Sequence, residues 1–135
     1  MLKKLNIKQL MKSIIETVEQ NTDYRCYDVP PKDAKPPFYY AELVQVRPSN
    51  SKTMWREIYI VNFHCIAPPV ASSVPVYDLV DALEEALTVE IKLPEPYFIV
   101  LQTSQGLQTI NKDETKEKHA VVQVNFDICY GYKVK

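Results

Sequence analysis

A chain of 135 residues fits one hydrophobic core, and with 46% hydrophobic and 24% charged residues it cannot be disordered as a whole. Its 16 Lys+Arg against 17 Asp+Glu give a net charge of −1, without the basic excess that phosphate neutralisation demands, so DNA is not expected as its main ligand. Cys26, Cys65 and Cys129 are odd in number and form no CxxC pair, and His64 and His119 are the only histidines, so no zinc signature is present. Free thiols in a reducing cytosol are the expectation.

Met1–Leu10 is basic and amphipathic, without the continuous apolar stretch of a secretory leader. From Leu5 to Glu19, Ile7, Leu10, Met11, Ile14, Ile15 and Val18 recur at three- and four-residue steps and predict a helix with one apolar stripe. Pro30, Pro31, Pro36 and Pro37 make residues 28–37 an extended connector. Phe38–Val46 and Trp55–Ile66 then read as strands, joined through a polar turn into an antiparallel hairpin. Ser73 opens a second helix, with Pro75 in its first turn and Val76, Leu79, Val80, Leu83 and Leu87 as its buried stripe.

Tyr97–Thr103 is a third predicted strand and Ala120–Tyr130 a fourth. Strict alternation in the last one sets Val122, Val124 and Phe126 on one face and Gln123, Asn125 and Asp127 on the other. Between these strands, residues 104–118 read as a long polar loop holding Gly106, Gln108, Lys112, Asp113, Glu114 and Lys116; connections of that length are usually functional or disordered. The expectation is a single α+β domain over residues 1–135: two layers, a mainly antiparallel sheet of about four strands, and two helices packed on the Val122/Val124/Phe126 face. No apolar run approaches the roughly 20 residues that span a bilayer, so a membrane is not an expected partner.

Motifs for catalysis are missing. Gly106 and Gly131 are the only glycines, too few for a phosphate-cradling loop. His64 and Cys65 are adjacent on a strand and therefore point to opposite faces, so they cannot act as a nucleophile–base pair. Asp78, Asp81, Glu84 and Glu85 read as the solvated side of the second helix. No catalytic, cofactor-binding or metal-ligating residue is assigned, and the surfaces are expected to carry the function.

The stretches EIYIVNFHCIAP, VYDLVDALEEAL, YFIVLQTSQG and KHAVVQVNFDICYGY, with the element order around them, resemble the small tail-terminator and head–tail joining (neck) proteins of long-tailed bacteriophages and prophages. The resemblance covers most of the chain from Phe38 onward. It implies a ring-forming homo-oligomer, commonly a hexamer, made in the bacterial host cytoplasm and carried in the virion tail or neck. Its implied partners are tail-tube and neck proteins, with DNA only as passing cargo. In that setting Gly106, Gln108, Lys112, Asp113, Glu114 and Lys116 are candidate assembly residues, and Gln123, Asn125 and Asp127 face a lumen or a neighbouring subunit. A small-molecule-binding regulatory domain, with an apolar pocket between helices and sheet, is the alternative.

Overall fold

The computed structural model describes residues 1–112 and 118–133, without the side chains of residues 111 and 112. Helix α1 (Ile7–Asn21) begins where Asn6, in extended conformation, accepts hydrogen bonds from the backbone N–H of Lys8 at 2.9 Å and of Gln9 at 3.4 Å. Buried Leu5 and Leu10 flank this cap at the two positions of a hydrophobic staple. Leu10, Ile14 and Val18 form the inner stripe, each fully buried. Helix α2 (Val74–Ala86) starts after Ser73 with Pro75 in its first turn and buries Val76, Leu79, Val80 and Leu83.

Five strands form one mixed sheet: β1 (Arg25–Tyr27), β2 (Phe38–Pro48), β3 (Met54–Ala67), β4 (Phe98–Lys112) and β5 (Lys118–Tyr132), in the order β1-β2-β3-β5-β4. The expected α+β class and two helices are present, whereas the expected four antiparallel strands become five, because β1 pairs parallel to β2. A three-residue edge strand carries too little periodicity to be seen in sequence. Arg25–Tyr27 lies between α1 and the proline-rich connector, and Glu19 fixes it by accepting hydrogen bonds from Cys26 N at 3.0 Å and Arg25 Nε at 3.1 Å.

The long polar loop expected over residues 104–118 is a second correction. Residues 104–112 continue β4, and residues 118–119 already belong to β5. Gly106, at φ +87°, sits at one of three register shifts of β4 against β5, where a bulge uses the left-handed conformation that only glycine adopts freely. None of residues 104–110 on this edge strand is buried, so little apolar periodicity marks them, which is why the sequence looks like a loop.

Both helices pack on one face of the sheet. Their stripes meet Tyr39, Val61, Phe63, Cys65, Val122, Val124 and Phe126 in a continuous buried cluster. The expected core residues Leu10, Ile14, Leu79, Leu83, Val122, Val124 and Phe126 all belong to it. Tyr39 Oη donates to the Leu79 carbonyl at 2.7 Å, tying β2 to α2 through the core. Gln102 of β4 donates to the carbonyls of Leu87 and Val89 and accepts from Ile91 N, so one amide satisfies backbone groups just after α2.

Candidate functional site

The helix-free face of the sheet is where the alternation of β5 places Gln123, Asn125 and Asp127. Each stands in register with a β3 residue: Gln123 with Asn62, Asn125 with Ile60 and Asp127 with Ile58. Gln123 Nε2 donates to Asn62 Oδ1 at 3.1 Å. Asp127 accepts from Ser49 Oγ at 2.9 Å and lies 3.5 Å from Arg56 Nη1, with its side chain only 13% exposed. It therefore carries a compensated charge. Asn125 Oδ1 is buried without a hydrogen-bond partner among the described residues.

Further along the same face, the sequence concealed a four-residue cluster. Tyr40 stacks on His64, ring centroids 4.2 Å apart and planes 5° from parallel. His64 Nε2 lies 2.9 Å from Glu42 Oε1, and its Nδ1 lies 2.8 Å from His119 Nε2. A carboxylate on Nε2 selects the Nε2–H tautomer, leaving Nδ1 to accept from His119. Alternation alone set His64 on the face opposite Cys65, without saying which residues it would meet. His119 lies within β5 and is partly buried.

These groups do not assemble into a reaction centre. Cys65 is fully buried on the helix side, opposite His64, and its thiol pKa is raised by burial. Burial also pushes the Cys26 thiol up to about 12, with the neighbouring Glu19 charge adding to the shift. Neither thiol supplies a nucleophile near neutral pH. Among the described residues no group of three or more His, Cys, Asp or Glu is arranged to hold a metal. Glu84 of the acidic helix accepts from Ser104 Oγ at 2.8 Å, and Asp78, Asp81 and Glu85 are exposed.

The two edges of the sheet differ. β1 covers only Phe38–Tyr40 of β2, so Ala41–Pro48 has a free edge among the described residues. Beside that edge lies an open cavity of about 430 Å³, lined by Ile7 and Met11 of α1, Val29 and Pro30, and Tyr40–Leu43 of β2. It occupies the place a longer β1 would fill. At the other edge, β4 runs for 15 residues and exposes Leu101 (57%), Leu107 (46%) and Ile110 (36%). Of the candidate assembly residues, Gly106 and Gln108 stand on this edge strand and Lys112 ends it, while Asp113, Glu114 and Lys116 lie outside the described residues.

A family model described as a putative tail termination protein matches residues 1–135, the whole chain. The chain belongs to the phage tail terminator family. No curated protein matches it. Membership extends the likeness seen from Phe38 onward to the proline-rich segment and α1. It makes the protein a structural component of a phage tail, which argues against catalysis and implies contacts with other tail proteins. No described helix is long and apolar enough to cross a membrane.

Proposed function

We propose that this tail terminator is a ring-forming subunit that assembles in the host cytoplasm, caps the finished tail tube and presents a surface to the neck. The observation that carries the reading is the family match across the entire chain. A closed ring needs two different, mutually complementary patches on each subunit, and the open β2 edge and the long β4 edge are two unlike surfaces at opposite ends of one sheet. In this reading Gln123, Asn125 and Asp127 line the lumen. Two neutral amides and a carboxylate compensated by Arg56 suit a wall along which polyanionic DNA passes, since a basic wall would hold the phosphates. The assembly element is β4, with Gly106, Gln108 and Lys112, in place of a free loop.

Deletion of the gene from its parent phage tests the proposal. Tails of uncontrolled length that fail to join heads, rescued by the chain supplied in trans, are the expected outcome. Tails of normal length joined to heads in the deletion would refute it.

A further inference from the structure

We infer that neighbouring subunits join edge to edge: β4 of one copy pairs antiparallel with the open Ala41–Pro48 edge of β2 in the next, and Leu107 enters the cavity beside α1. The inference rests on the ring reading above and adds which surfaces meet.

The acceptor is a strand-shaped vacancy. Among the described residues no strand pairs with this edge of β2 beyond Tyr40, and beneath it Ile7, Met11, Val29 and Leu43 line a space open to solvent. A strand added there receives main-chain hydrogen bonds from β2 and buries its inward side chains against α1, the usual chemistry of β-strand addition.

The donor matches that vacancy in height, direction and side. Ala41, Phe63, Val122 and Leu107 stand in one row across the sheet; Pro48, Glu57, Ile128 and Ile99 stand in another. Ile99–Leu107 of β4 therefore spans the same heights as the open stretch of β2. Three successive antiparallel pairings, β2 with β3, β3 with β5 and β5 with β4, make β4 run opposite to β2. Rotation about an axis along the strands preserves strand direction, so β4 of one copy meets β2 of the next as an antiparallel pair. The same rotation preserves the side of the sheet. Leu107 pairs with buried Val122 and so points to the helix side, the side on which Ile7 and Met11 of the next copy line the cavity.

Edge strands in monomeric proteins are commonly guarded by charges or prolines. From Phe98 to Asn111, β4 contains neither. Its protection is local: Gln108 Nε2 donates to the carbonyls of Gln105 and Gly106, and Ser104 Oγ accepts from Gly106 N. These short bonds satisfy the bulged part of the edge in a free subunit and are exchangeable for a partner strand.

Two variants of the full chain test this. Gln45 and Thr103 stand in one row through Ile60 and Asn125, so they become neighbours across the joint. Under mild oxidation, Gln45→Cys combined with Thr103→Cys should give a ladder of disulfide-linked species above dimer, absent from each single variant. The native Cys26, Cys65 and Cys129 are buried and contribute little background. Leu107→Asp, at a side chain already 46% exposed, should raise the concentration for half-association at least tenfold in sedimentation velocity without changing the melting temperature.

Rings of wild-type size in Leu107→Asp, with no ladder from the double variant, would overturn edge pairing while leaving the ring intact. Disulfide dimers from Thr103→Cys alone would show a two-fold β4–β4 pairing and also overturn it. A wild-type chain that stays monomeric at every concentration and on isolated tail tubes would refute the ring and the joint together.

Discussion

Truncating Leu83 tests whether α2 is held to the sheet as the packing indicates. Its side chain is fully buried among the core residues of α2 and the sheet. Leu83→Ala deletes three carbons, about 2.4 kcal/mol at ~0.8 kcal/mol per buried methylene. An unfilled remnant of about 50 Å³ adds roughly 1 kcal/mol at ~24 cal/mol per Å³. A cavity of about 330 Å³, lined by Leu83, Leu87, Val122 and Val124, lies against the site and gives the neighbours room to relax. The expected loss is therefore about 3 kcal/mol, in the lower half of the usual range for such truncations. Urea denaturation followed by circular dichroism measures it, as a lower midpoint with an unchanged slope. A loss below about 1 kcal/mol would refute the packing of α2 on β3 and β5.

Tyr39→Phe removes a buried hydrogen bond to a helix carbonyl and should cost about 1 kcal/mol in the same assay; no change would mean that this bond does not couple β2 to α2. Asp127→Lys should destabilise the subunit more than Asp127→Asn, because an ammonium would replace the partner of Arg56; equal melting temperatures for the two variants would show that the Arg56 pair contributes nothing. Stability should fall as pH rises above about 9. Cys26 is pushed up to about 12 and Tyr59 to about 12, chiefly by burial. Their folded pKa values exceed the unfolded ones, so above pH 9 to 10 the unfolded chain releases protons that the fold retains, and stability is lost progressively towards pH 12. Melting temperatures flat between pH 8 and roughly 11 would contradict that burial.

The sequence by itself determined what periodicity encodes. Two amphipathic helices and the strictly alternating β5 each carry a repeat that only one backbone conformation can bury, so α1, α2 and the core residues Leu10, Ile14, Leu83 and Phe126 were legible. The separation of Gln123, Asn125 and Asp127 from the buried face followed from the same rule. Where a segment is very short or barely covered, the pattern fails. β1 is too short to show a period, and residues 104–110 of β4 are mostly polar and none of them is buried, so only backbone pairing with β5 makes that stretch a strand. Contacts between residues far apart in the chain were decided by the tertiary structure alone. Pairing of β3 with β5 brings His64 beside His119, and the turn between β2 and β3 brings Ser49 to Asp127. The early end of β1 leaves β2 open beside α1. Local sequence sets which conformation each segment prefers, whereas these meetings depend on strand order and register, which are fixed only when the whole sheet closes on its helices.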